Sequence, residues 1–200
     1  MITIVDYGIG NVASIQNMLQ RVGVNSVCSC DPNVILEATK LILPGVGAFD
    51  AAMDRLNELA LTEVIRRYAG TGKPLLGICL GAQLLMEGSE EGKASGIGLL
   101  KGTCRLFRDI HPLRVPHMSW SEVAVNRPHP LFRTEEYHPR FYFVHSYYID
   151  CADPQDALAT AVYGHPFTAA VSRAQIWGVQ FHPEKSHKFG FALLRNFAEA

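Results

Sequence analysis

Short apolar runs alternate with helix-spaced apolar residues through the first half of the chain. Residues 2–5 form the first run and read as a strand, and Gly8-Ile9-Gly10-Asn11 follows as a turn. Val12, Ile15, Met18, Leu19 and Val22 then recur at three- and four-residue intervals, which predicts a helix. Residues 24–27 predict a second strand, and Asp31-Pro32 a cap opening a short helix. Residues 41–43 predict a third strand, ending in Pro44-Gly45-Val46-Gly47. Helical spacing returns over 50–59 and 62–68, and the apolar residues leading to Cys79 predict a fourth strand. This alternation implies an α/β fold, a mostly parallel sheet flanked by helices on both faces.

Beyond about Gly96 the texture changes. Strand-like runs at 102–107, 122–125, 140–149, 158–162, 168–171 and 176–181 follow one another with little helix between them. They predict antiparallel strands added to the parallel core in the C-terminal half. A closing helix is expected over 187–197, with Phe189, Leu193, Leu194 and Phe197 on one side. With no linker, repeat or low-complexity segment in the pattern, residues 1–200 are expected to form one domain.

Composition narrows the function classes. Of the 200 residues, 48% are hydrophobic and 18% charged, as in ordinary globular proteins. The net charge of −1, with no basic block, argues against nucleic acid or an anionic membrane as partner. The opening Met1-Ile2-Thr3-Ile4-Val5 reads as a strand, not a signal core, and no apolar stretch is long enough to span a bilayer. A cytoplasmic protein is expected. Its five cysteines (28, 30, 79, 104 and 151) are odd in number, lack C-x-x-C spacing and are expected to be reduced thiols. Eight histidines lie between His111 and His187, but none falls in a metal-binding spacing, so no metal site is expected.

The segment Pro74-Leu75-Leu76-Gly77-Ile78-Cys79-Leu80-Gly81-Ala82-Gln83 carries the chemistry. A strand stops at a cysteine with glycines two residues to either side, and a helix-like segment follows. This is the thiol counterpart of the nucleophile elbow, where small neighbours permit the tight turn and helix N–H groups favour a thiolate. Taken alone, the same five residues also fit a tight βα turn around an inert cysteine. A nucleophilic thiol needs a base, and the base needs an orienting partner. Gln180-Phe181-His182-Pro183-Glu184 offers both: His182 at a strand end, and Glu184 two residues on, able to face the same side. The backbone N–H of Leu80 is placed to stabilise a developing oxyanion, and the Val46-Gly47 loop is the candidate second donor.

Gly-Ile-Cys-Leu-Gly-Ala-Gln together with Gln-Phe-His-Pro-Glu resembles the double signature of the triad (class I) glutamine amidotransferases. Within that class the chain is similar over its whole length to the glutaminase subunits of imidazole glycerol phosphate synthases. The similarity extends through residues 5–11, 43–49, 115–118, 142–148 and 182–186. The resemblance implies a flavodoxin-like three-layer fold and hydrolysis of L-glutamine to glutamate and ammonia by Cys79, His182 and Glu184, without a cofactor. It also implies substrate binding by Gln83 and by His145, Ser146 and Tyr147. A heterodimer with a (β/α)8-barrel cyclase of histidine biosynthesis is implied as well, with Asn11, Trp120 and Lys185 at the docking face. Low activity is expected of the isolated chain, with the 45–47 loop as the switch. One segment departs from the pattern: where the family commonly reads Pro-His-Met-Gly-Trp-Asn, this chain has Pro116-His117-Met118-Ser119-Trp120-Ser121. That departure leaves open a paralogous glutaminase serving sugar amidination in surface-polysaccharide synthesis. A flavodoxin-like thiol redox sensor using Cys79 is the alternative of another class, although such a sensor has no need of a distant His-Pro-Glu.

Overall fold

The computed structural model describes residues 1–108, 110–133 and 139–200. The first half runs β1 (Ile2–Val5), α1 (Val12–Arg21), β2 (Ser26–Ser29), α2 (Pro32–Glu37), β3 (Lys40–Gly45), α3 (Phe49–Glu58), α4 (Leu61–Ala69), β4 (Leu75–Cys79) and α5 (Leu80–Leu84). There follow β5 (Gly88–Ser89), β6 (Gly102–Leu106), β7 (His117–Glu122), β8 (Ala124–Val125), β9 (Arg140–His145) and β10 (Tyr147–Cys151). The chain closes with β11 (Ala157–Tyr163), β12 (His165–Arg173), β13 (Ile176–Val179) and α6 (His187–Glu199). Among the described residues no helix is long and apolar enough to cross a membrane.

The main sheet is ordered β2-β1-β3-β4-β13-β12-β10-β6-β5, with β11 and β8 attached beside β12. Its first five strands are mutually parallel. The strands added beyond β13 pair mainly antiparallel, as the change in sequence texture predicts. Period-two alternation divides each central strand between two cores. Ile4, Ile42, Leu76 and Val179 face α1 and α6, through Ile15, Leu19, Leu194 and Phe197. Val5, Leu41, Leu43 and Leu75 face α3 and α4, through Phe49, Leu56, Ile65 and Tyr68. Each such side chain, fully buried, stabilises the layers by about 1.5–3 kcal/mol. The three-layer α/β fold is therefore the one the sequence implies.

Several boundaries differ from expectation, among them the run 122–125, where Glu122 ends β7 and Ala124–Val125 form β8. The second strand begins at Ser26, not residue 24, because the Val24 N–H bonds back to Leu19 O and still belongs to the exit of α1. The run 140–149 is two strands divided at Ser146: β9 pairs with β7 in a separate two-stranded sheet, while β10 pairs with β6 and β12 in the main one. The last strand ends at Val179, which leaves Gln180 and Phe181 as the approach to His182.

Candidate active site

Parallel strands bring their carboxyl ends to one edge, and β1, β3, β4 and β13 all end at the candidate site. Cys79 closes β4 and caps α5 with φ 53° and ψ −113°, a conformation strained for any residue but glycine. The neighbouring glycines allow it. A Cβ on Gly77 would lie 2.6 Å from Ala82 Cα, and one on Gly81 would overlap the Leu43 carbonyl. The elbow is therefore wedged between β3 and its own helix, with Cys79 only 7% exposed.

His182 follows β13 across the sheet. Its main-chain N–H donates to Tyr142 O at 2.9 Å, and the Ser186 hydroxyl donates to its carbonyl at 2.6 Å. The chain then enters a single 3-10 turn, Pro183–Lys185, which returns Glu184 to the imidazole. His182 Nδ1 is 2.7 Å from Glu184 Oε1, and each side chain is 2% exposed. With Nδ1 occupied, Nε2 is the nitrogen left to meet the Cys79 thiol. Burial by itself lowers the His182 pKa. The hydrogen bonds to Cys79 and Glu184, with the negative charge of both, outweigh burial and raise it to about 10. The imidazole is thus held protonated between the Cys79 sulfur and the Glu184 carboxylate.

A cavity of about 390 Å³ opens over the sulfur. Cys79, Leu80, Gln83, Val46, Gly47, His145, Ser146, Tyr147, His182 and Lys185 line it, so most of the sequence-predicted residues meet around one space. Glu184 stands behind His182, not in the lining. The loop carrying Val46 and Gly47 is anchored at its base, where the Tyr7 hydroxyl donates to Pro44 O at 2.8 Å. Its tip is unpacked: Val46 is 41% exposed, and Gly47 has φ 92° with open space at its Cβ position. Asn11 and Trp120 lie outside the cavity. The Gly10–Asn11 turn abuts the base of the Val46-Gly47 loop, since a Gly10 Cβ would meet Pro44 Cβ at 3.1 Å. Trp120 stacks on His187, with ring centroids 5.6 Å apart, and the Lys185 ammonium lies 5.9 Å from the Tyr142 ring centre.

Sequence reasoning missed two polar side chains at the site. Glu91 lines the cavity and fixes the start of α3, accepting from the Phe49 N–H at 3.0 Å. Gln180 is fully buried beside Cys79. An amide interrupting the apolar run 176–181 is the signal that could have found it, because a buried amide requires partners.

The segment 145–147 is held by hydrogen bonds of fixed direction. The Tyr147 carbonyl accepts from Gln83 Nε2 at 2.9 Å and from His145 Nδ1 at 2.7 Å. Burial lowers the His145 pKa to about 3, so the ring is neutral and its Nε2 must accept. The donor is His117 Nδ1 at 3.0 Å, and His117 Nε2 in turn accepts from the hydroxyls of Ser119 and Ser121, both at 3.0 Å. Ser119 and Ser121 thus converge on a single nitrogen.

Residues 3–200 match the glutamine amidotransferase class-I family. The imidazole glycerol phosphate synthase subunit HisH 2 of Methanococcus maripaludis is 48% identical over 198 residues, 98% of each chain. The subunit of the same name from Pseudomonas aeruginosa is 47% identical, covering 100% of this chain and 99% of its own. Among solved structures, a glutamine amidotransferase superposes with a TM-score of 0.77 at 17% identity, covering 99% of this chain and 97% of that one, which bears on the fold.

Proposed function

Because the chain belongs to the class I glutamine amidotransferase family, we propose that it is the glutaminase subunit of an imidazole glycerol phosphate synthase in histidine biosynthesis. The observation that carries the reading is the Cys79–His182–Glu184 alignment beneath a cavity of amino-acid size.

In this reading residues 1–200 act as one glutaminase domain. The Cys79 thiolate attacks the carboxamide carbon of L-glutamine, and the carbonyl oxygen becomes an oxyanion facing the Leu80 N–H and the Val46-Gly47 loop. The His182 imidazolium gives its proton to the amide nitrogen, the C–N bond breaks, and ammonia leaves a γ-glutamyl thioester on Cys79. Neutral His182 then takes a proton from water. The resulting hydroxide attacks the thioester, the C–S bond breaks, and glutamate departs as the thiolate re-forms. Glu184 keeps Nδ1 protonated throughout and stabilises the imidazolium. Glu91 offers an anionic partner for the substrate's α-ammonium group, while Gln83 and residues 145–147 hold its remaining polar atoms.

Ammonia passes to a (β/α)8-barrel cyclase that forms imidazole glycerol phosphate and the aminoimidazole carboxamide ribotide. The docking face includes Asn11, Trp120 and Lys185, and the exposed Val115 and Met118 add apolar surface to it. The unpacked Val46-Gly47 tip of the 45–47 loop supports an activity that depends on the partner. A second reading, a paralogue supplying ammonia for sugar amidination, is motivated by Ser119 and Ser121 alone; the barrel protein that co-purifies with the chain decides between the two.

Glutamate release is the test, measured for wild type and Cys79→Ala with and without the purified cyclase. Wild type is expected to turn over glutamine, faster with the cyclase, and Cys79→Ala to show none. Equal rates for the two proteins under every condition would sink the proposal.

A further inference from the structure

Gln180 is buried beside the nucleophile and takes no part in the steps above. It has 0% exposure and leads from β13 to His182, its main-chain N–H donating to Ala169 O at 2.9 Å. Its side-chain amide lies between Gln83 and Cys79: Oε1 is 3.0 Å from Gln83 Nε2, and Nε2 is 3.9 Å from the Cys79 sulfur.

The orientation of both amides is forced. The Tyr147 carbonyl can only accept, so the Gln83 atom facing it must be the nitrogen. The second N–H of that nitrogen requires an acceptor on Gln180, which is Oε1. The Gln180 nitrogen is thereby turned toward the sulfur. The Tyr147 carbonyl that begins this sequence is itself held by His145.

We propose that Gln180 is a positioning residue for the nucleophile, its amide aimed at the Cys79 sulfur by Gln83 and the Tyr147 carbonyl. The proposal rests on the reading of Cys79 as the nucleophile of a glutaminase. Two donors then meet one sulfur, and they differ in kind. His182 supplies a proton that leaves during the reaction. Gln180 supplies a dipole that does not titrate, so it still faces the sulfur after His182 has protonated the departing ammonia.

The experiment compares wild type with Gln180→Met and Gln180→Glu as full chains. Alkylation of Cys79 by iodoacetamide is followed against pH, and peptide mass spectrometry separates it from the other four thiols. Met removes both the donor and the acceptor. Alkylation at neutral pH is expected to slow about five-fold or more, with its midpoint displaced to higher pH. Glu keeps an acceptor for Gln83 but turns an anion toward the sulfur, so alkylation slows at least as much. In the cyclase complex the Glu variant should lose about ten-fold in kcat with KM within about two-fold, whereas Met raises KM as well because Gln83 loses its anchor. A purely structural role predicts a lower Tm with alkylation rate and pH profile unchanged; that result in either folded variant overturns the proposal. If the Met variant does not fold, Gln180→Asn, one methylene too short to reach the sulfur, must slow alkylation in the same way, and wild-type reactivity there is equally fatal. Alkylation needs no glutamine, so failure of this proposal and failure of the glutaminase reading appear in different assays.

Discussion

Glu184 touches the site only through His182, by the 2.7 Å contact from its Oε1 to Nδ1. Its other oxygen is buried and accepts no hydrogen bond among the described residues. The carboxylate therefore acts as a fixed negative charge and a lock on the imidazole tautomer, not as a substrate ligand. Glu184→Gln keeps the shape and removes the charge, and it is expected to lower kcat by about ten- to a hundred-fold with KM within about two-fold. Steady-state glutaminase kinetics check this, and an unchanged kcat would remove Glu184 from the mechanism. At this scale the grouping of Cys79, His182 and Glu184 was legible in the sequence because each stands in a short local motif. Gln180 and Glu91 were not. Their roles depend on atoms brought from α5 and α3 across the fold, and nothing local to residue 180 or 91 announces a partner in another element.

The elbow is the element on which the site depends. Gly81 lies where a methyl group would overlap the Leu43 carbonyl of β3, and that obstacle is backbone, which cannot swing aside. Gly81→Ala is expected to cost about 2–4 kcal/mol and to displace Cys79, lowering both Tm and glutaminase activity. Thermal melting and kinetics measure the two effects; a stable, active variant would show that β3 and α5 can separate freely. The strand–helix alternation of the first half was readable because each element has its own period. The break at Ser146 was not readable. Phe141, Phe143, His145 and Ile149 are all buried, so one inward phase continues through the break. What changes there is the pairing partner, from β7 to β6 and β12, and a pairing partner leaves no trace in a single strand's periodicity.

For the molecule as a whole, three histidines set the response to acid, His117 and His145 being buried and His129 half-buried. Burial lowers the pKa of His117 and His129 to about 4 and that of His145 to about 3. In the unfolded chain each titrates near 6.5, so between about pH 4 and 6.5 the unfolded state binds more protons and stability falls as pH falls. His182 adds no slope in that window, because its raised pKa leaves it protonated in both states below about 6.5. Tm is expected to drop by about 5 °C or more between pH 7 and pH 5, measured by circular dichroism, and a flat profile would contradict neutral burial of these rings. The parallel core was predictable as a whole, since alternating strands and helices admit few arrangements. The sheet to which each later strand belongs is settled only by contacts distant in sequence.

The polarity of the bonds from Ser119 and Ser121 through His117 and His145 to the Tyr147 carbonyl has one more consequence. Every N–H and O–H along that row points the same way, and the row ends on an atom that can only accept. To carry a proton inward as a wire, every bond would have to reverse, leaving a ring nitrogen's lone pair facing the oxygen of Tyr147. The row is therefore a proton insulator. It separates the serine-bearing face of β7 from the Cys79 thiol, and in the proposed mechanism the protons that move during turnover stay with Cys79, His182 and the attacking water.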